Sequence, residues 1–379
     1  MDAIQQLEGI KRMILYPDIE FGRDDLEKAR DALTKLFLPE FDTRGIAAFK
    51  DLRSAYIHLT GDNDINGIFK PDRVTKGLRS CMDFSSNTFA YALQNALSMY
   101  LSKVYKAFPY REEILISEKK EATDFRTIHS IQLGYFGDLP DVDPEAGDYN
   151  NLERFDDTES QYNLSPKGGI AWITRRLIIN NSIDIIRAIT NRMARSARMT
   201  HAKYVWNFYI NNAACPDGTS WFTSGHGNLG SQELGASAIM NAITDLANLT
   251  EPGSGEKLGM DLATFNWFLV VPINRWTQAV TINNAQDTVC HKLFGDHHER
   301  IVTPSFFTDD DDWGIIRDKE DAPLVEMSYL NGHEEPEFIL EEGPTQEHVF
   351  VQDKIGYKIR HECGGTLADY RGGHKSVVA

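Results

Sequence analysis

The chain has 379 residues, 41% hydrophobic and 25% charged, enough for two or three hydrophobic cores rather than one. Its formal net charge of -17 speaks against a protein that wraps nucleic acid, because an acidic surface repels phosphate. The longest apolar runs, such as Phe268–Val271, are far too short to span a membrane, so no membrane partner is expected.

Met1–Gln6 has neither a basic start nor an apolar signal region, so the chain is expected to stay where it is made. Cys81, Cys215, Cys290 and Cys363 show no CxxC spacing and are expected to be buried or idle thiols.

Residues 1–60 read as helical, with apolar positions at Ile4, Leu7, Ile10 and Ile14 and again at Leu26, Ala29, Leu33 and Leu36. Asp42 or Thr43 is the expected cap of a third helix through Ala47, Leu52 and Tyr56. Residues 61–72 are turn-rich and read as a linker. Another helix runs from about Ser85 to Phe108, with Phe89, Leu93, Leu97, Leu101 and Tyr105 on one stripe.

Phe125–Leu133 and Ile170–Ile179 are rich in β-formers and flank a long polar stretch. They predict a very long β-hairpin, and such a hairpin needs a body or a neighbour to lie on. Asn181–Asn212 reads as one long helix with Asn181 or Ser182 as N-cap. Its predicted apolar stripe is Ile185, Ile189, Met193, Ala197, Val205 and Tyr209. Helices at 237–249 and 275–283 alternate with strands at 264–271, 300–303 and 313–317. Residues 325–379 read as strands, with a long one near Tyr357–Asp369.

Charge is partitioned sharply. Residues 137–160 carry Asp138, Asp141, Asp143, Glu145, Asp148, Glu153, Asp156, Asp157 and Glu159 against Arg154 alone, a net charge of -8. Residues 165–205 carry Lys167, Arg175, Arg176, Arg187, Arg192, Arg195, Arg198 and Lys203 against Asp184, a net charge of +7. The basic block could bind nucleic acid, or both blocks could be solvated faces. The favoured reading is that they meet between copies of the chain, since a tip cannot easily fold back onto the helix it precedes. Arrays of exposed charge pairs set register and speed encounter more than they add affinity.

No catalytic, cofactor or metal constellation emerges. Asp296–Glu299 with His291 could suggest zinc but lacks HExxH spacing and reads as a polar loop. Asp309–Asp312 lacks the alternating calcium-loop pattern and reads as a solvated turn. Gly253–Gly259 lacks the Gly-Lys-Ser/Thr ending of a phosphate loop.

One series of motifs carries a resemblance. It includes Thr123-Asp124-Phe125, the stretch from Leu139 through Pro144-Glu145-Ala146-Gly147-Asp148 to Tyr149, and Ile173-Thr174-Arg175-Arg176. It continues through Trp313-Gly314, Leu330-Asn331-Gly332, Lys358-Ile359-Arg360-His361 and Asp369-Tyr370-Arg371-Gly372. In this order, over about residues 80–379, the chain resembles tailed-phage major capsid proteins of the phage Mu type.

The resemblance implies an α+β, Hong Kong 97-type fold with five segments. Residues 1–80 would be a helical extension, 81–115 an N-terminal arm and 116–180 an extended hairpin loop. Residues 181–235 and 325–365 would form a peripheral domain with a spine helix, and 236–324 and 366–379 an axial domain. It implies a structural, non-enzymatic subunit that assembles as hexamers and pentamers into a head enclosing double-stranded DNA, which it touches only weakly and non-specifically. Portal, scaffolding, maturation-protease and decoration proteins are the implied partners, with assembly in the host cytoplasm and residence in the virion. The intersubunit candidates are Asp141, Asp143, Glu145, Asp148, Glu153, Asp156, Asp157, Arg175, Arg176, Arg187, Arg192, Arg195 and Arg198.

Some members of this fold cross-link a loop lysine to an asparagine with the help of a glutamate. Lys167, Asn331, Glu334 and Glu335 are the nearest equivalents here, but Gly168-Gly169 reads as a solvated turn and non-covalent contacts are expected. An encapsulin-like nanocompartment shell and a metal-dependent α/β hydrolase resting on His297 and His298 are the alternatives.

Overall fold

A computed structural model describes residues 25–42, 45–63, 88–132, 141, 158–180, 182–250, 257, 266–285, 298–319, 323–340 and 354–378. By contact the chain divides into two compact units. The first holds residues up to 109, 166–198 and 335–361, and the second holds 110–165, 199–334 and 362 onward.

The first unit is built mainly from helices. Helix α1 (Asp25–Phe37) and helix α2 (Leu52–Thr60) lie against α3 (Thr88–Ala107). All five predicted stripe residues of α3, from Phe89 to Tyr105, are buried. Full burial of each such side chain contributes about 1.5–3 kcal/mol. Ile186, Phe338, Tyr357 and Ile359 close the same core.

The expected cap of α2 is corrected. Residues 45–50 are not helical, and Gly45 sits at φ 91. The cap is Asp51, whose Oδ1 accepts the Ser54 N–H at 2.6 Å, and Gly61 ends the helix at φ 70.

The second unit contains most of the strands. Strand β1 (Ile116–Ala122) pairs in parallel with β9 (Val325–Leu330), and β9 pairs antiparallel with Cys363–Leu367 of the long strand β11 (Lys354–Leu367). Strands β2 (Ile128–Gln132) and β3 (Thr158–Tyr162) form the hairpin.

A second sheet runs in the order β5 (Leu229–Gly230), β12 (Gly373–Ser376), β8 (Trp313–Arg317), β6 (Trp267–Val270), β7 (Ile301–Val302). Helix α6 (Ala236–Ala247) lies on β8 and β12, and α7 (Trp276–Asn284) touches β7. Trp206, Trp221, Trp267 and Trp313 are fully buried in this unit.

Two predictions for the hairpin region are corrected. Its return limb is Thr158–Tyr162, which a search for β-branched runs passes over because the sequence is polar. The predicted return limb instead splits into β4 (Ser165–Thr174) and a short helix α4 (Arg175–Ile179).

Strand β4 pairs with β11, and Gly168-Gly169 is strand rather than turn. A Cβ at Gly168 would collide with the Ile359 carbonyl oxygen, so glycine is what allows the two backbones to approach.

Helix α5 (Ile183–Ile210) has 28 residues, about 42 Å at 1.5 Å each. It stops where predicted, with Asn212 at φ 51. Its buried stripe is shifted by one residue in the first half. Ile186, Thr190 and Ala194 are buried there, whereas Ile185 is 49% exposed. The Ile4–Ile14 helix, most of the 61–72 linker and the Gly253–Gly259 stretch lie outside the described residues. Among the described residues no helix is long and apolar enough to cross a membrane.

Candidate assembly surface

The hairpin is fixed at its root by one carboxylate. Glu326 is the second residue of β9, in a run of buried residues, and it is 2% exposed. Its Oε2 accepts the Lys120 ammonium at 2.7 Å and the Ser130 hydroxyl at 2.5 Å. Its Oε1 accepts the Tyr162 hydroxyl at 2.6 Å, and the same hydroxyl meets Ser328 Oγ at 2.6 Å. Strands β1, β2, β3 and β9 therefore converge on this acid.

Burial alone would raise the Glu326 pKa, but the three hydrogen bonds outweigh it and the carboxyl lies below its ordinary value of 4.5. Burial would likewise lower the Lys120 ammonium, yet its bond to Glu326 and the pairing of charges raise it. The Tyr162 phenol is held above its ordinary value, first by burial and then by the carboxylate. Such a site is chemically quiet. It holds a hairpin in place.

The predicted basic residues separate by face. Arg198 is 8% exposed, with its guanidinium 5.3 Å from the Tyr105 ring centre and Nε donating to the Phe108 carbonyl at 3.4 Å. Arg198 is thus packed within its own chain. Arg187 is half-buried, donates to the Leu36 carbonyl, and stands 6.0 Å from the Phe37 ring centre. Arg176, Arg192 and Arg195 are exposed, and Arg195 reaches the Phe108 ring at 6.0 Å. Arg175 lies in α4.

The outer face of α5 thus presents Ile185, Arg192, Arg195, Met199 and Lys203, an apolar and basic stripe at helical spacing. Of the acidic tip, Asp141 is exposed. Asp143, Glu145, Asp148, Glu153, Asp156 and Asp157 lie outside the described residues.

The other candidates resolve more simply. Asp309 Oδ1 accepts the backbone N–H groups of Asp311 and Asp312, Arg275 pairs with Asp311 at 2.5 Å, and Lys375 pairs with Asp312 at 3.0 Å. The acidic run is thus a turn served by the chain's own cations. His291, Asp296 and His297 lie outside the described residues. Among the described residues no group of three or more His, Cys, Asp or Glu could hold a metal ion.

Glu334 pairs with Lys119 and Glu335 with Lys106, each at 2.5 Å, while Lys167 is half-buried on β4. The Glu326 cluster was missed at the sequence level. A lone acid inside Leu324-Val325-Glu326-Met327 is the signal that marks it.

A family model described as "Phage capsid protein" matches residues 157–376, more than half of the chain. The chain belongs to that phage capsid protein family. A capsid subunit of this kind is structural, and it works by joining copies of itself into the icosahedral shell of the virion. The Hong Kong 97-type, α+β architecture agrees with the family and with the described hairpin, long helix and two sheets.

No curated protein matches the chain. Among solved structures, the capsid of an empty GTA particle is similar with a TM-score of 0.47 and 10% identity, covering 72% of this chain and 91% of that one. A chain from Microbacterium phage Oxtober96 gives 0.45 and 12%, covering 71% and 91%. The virus-like particle from Pyrococcus furiosus gives 0.45 and 10%, covering 74% and 97%. The encapsulin-like alternative has less support, because the matching sequence model is that of phage capsids.

Proposed function

We propose that this capsid subunit assembles as hexamers and pentamers, with the acidic hairpin tip of one copy lying on the outer face of α5 of the next. The exposed stripe of Ile185, Arg192, Arg195, Met199 and Lys203 carries this reading. Those side chains lie on the face opposite the buried one, and their charge is opposite to that of the tip. The Glu326 clamp supports it from the other end, because a hairpin fixed at its root can deliver its tip to a defined place.

In this reading residues 181–235 and 325–365 act as the peripheral domain with its spine. Residues 236–324 and 366–379 act as the axial domain, 81–115 as the arm and 1–80 as a helical extension. The subunit catalyses nothing, and the mature shell is held by non-covalent contacts. It is built in the host cytoplasm with portal, scaffolding and protease partners, encloses double-stranded DNA and can carry decoration proteins.

The test is charge reversal. Arg192→Glu with Arg195→Glu should impair assembly, read by light scattering across a salt series. Adding Asp156→Lys and Asp157→Lys should partly restore it. Assembly with unchanged extent and salt dependence after the arginine reversal would make the charge partition mere surface decoration.

A further inference from the structure

A cleft of about 350 Å³ in the second unit lies beside α6 and β12, lined by Gln232, Asn241, Asp245, Trp313, His374 and Ser376 among others. His374 is 3% exposed, yet neither of its ring nitrogens has a hydrogen-bond partner. The Asp245 carboxylate faces it, with Oδ2 3.4 Å from Nε2.

That separation is informative. A charge-assisted N–H···O bond would close to about 2.7–2.9 Å. Two donors on a tetrahedral zinc ion, each about 2.0–2.2 Å from the metal, stand about 3.4 Å apart. Two acceptors around an ammonium nitrogen at about 2.9 Å each would stand roughly 4.7 Å apart. The spacing is the one that two ligands of a tetrahedral metal ion would keep.

The surroundings agree. Asn241 and Asp245 are one turn apart on α6, so both face the cleft. Asn241 Nδ2 donates to Gln232 Oε1 at 3.0 Å, which leaves Oδ1 as the acceptor of that side chain. A Cβ at Gly230 would stand 3.0 Å from His374 Cε1, so the ring is seated directly over a glycine.

We propose that His374 Nε2 and Asp245 Oδ2 bind a zinc ion, with Asn241 Oδ1 and water completing its coordination. With two strong donors this is an exchangeable site that ties β12 to α6, not one on which folding depends.

Equilibrium dialysis of the purified full chain against zinc chloride tests it, with bound metal measured by atomic spectroscopy. One equivalent of zinc is expected, and cobalt in its place should give the visible absorption of a tetrahedral site. His374→Gln and Asp245→Asn should each weaken binding at least about tenfold with circular dichroism unchanged. Asp245 is half exposed, so its variant keeps the test alive if His374→Gln misfolds. A folded wild-type chain that retains no zinc overturns the proposal, and so does full affinity in both variants.

Discussion

The hairpin root and the outer face of α5 both carry charge, and they hold it in opposite ways. At the root Glu326 is buried, and Lys120, Ser130 and Tyr162 all turn toward it. On α5, Arg192 and Arg195 point away from the core that the same helix helps to build. A buried charge must be answered by its own chain or the fold fails. An exposed arginine places no such demand, and it is available to a neighbour. Arg198 shows how local this difference is. It is less than two turns from Arg192, and it belongs with the buried group.

The largest effect should come from the root. Glu326→Ala removes the acceptor shared by the Lys120 ammonium and the Ser130 and Tyr162 hydroxyls and should cost about 3 kcal/mol in chemical unfolding. Hydrogen exchange should rise first in β2 and β3. If those strands stay protected, the clamp is not what holds the hairpin.

Acid sharpens the same point. The folded-state pKa of Glu326 is lowered, so its contribution is complete above the ordinary value of 4.5 and is lost as pH falls through the folded value. Unfolding free energy should therefore fall with acid in that window, and Glu326→Gln should flatten the slope. An identical slope in the variant would assign the acid sensitivity to other carboxylates.

The arginines give the next contrast. Arg198→Ala should destabilise the subunit by about 2 kcal/mol through lost packing on Tyr105 and a lost bond to Phe108. Arg192→Ala should change stability by less than about 0.5 kcal/mol. Equal effects in thermal unfolding would erase the distinction between the two faces of α5.

Much of this was legible beforehand. The α3 stripe is uniformly apolar at a spacing of four, so its buried face could be named residue by residue. The stop of α5 at Asn211-Asn212 was equally plain. The phase of α5 was not, because its buried face is partly polar. Thr190 bonds back to the Ile186 carbonyl, and His201 sits 3.1 Å from Glu112 and 2.9 Å from Tyr329. Hydrophobicity therefore favoured the neighbouring stripe through Ile185, which is exposed.

The hairpin's return limb was hidden for a related reason. Thr158–Tyr162 has a polar sequence, and it is paired along its whole length with β2. The Glu326 network joins residues more than 160 positions apart, a pairing that no local pattern contains.

Electron microscopy of the purified chain at high concentration tests the central claim most directly, that this is a shell-building subunit. Closed shells made of hexamers and pentamers are predicted. Monomers by light scattering and empty micrographs, both with and without a scaffolding partner, would contradict it.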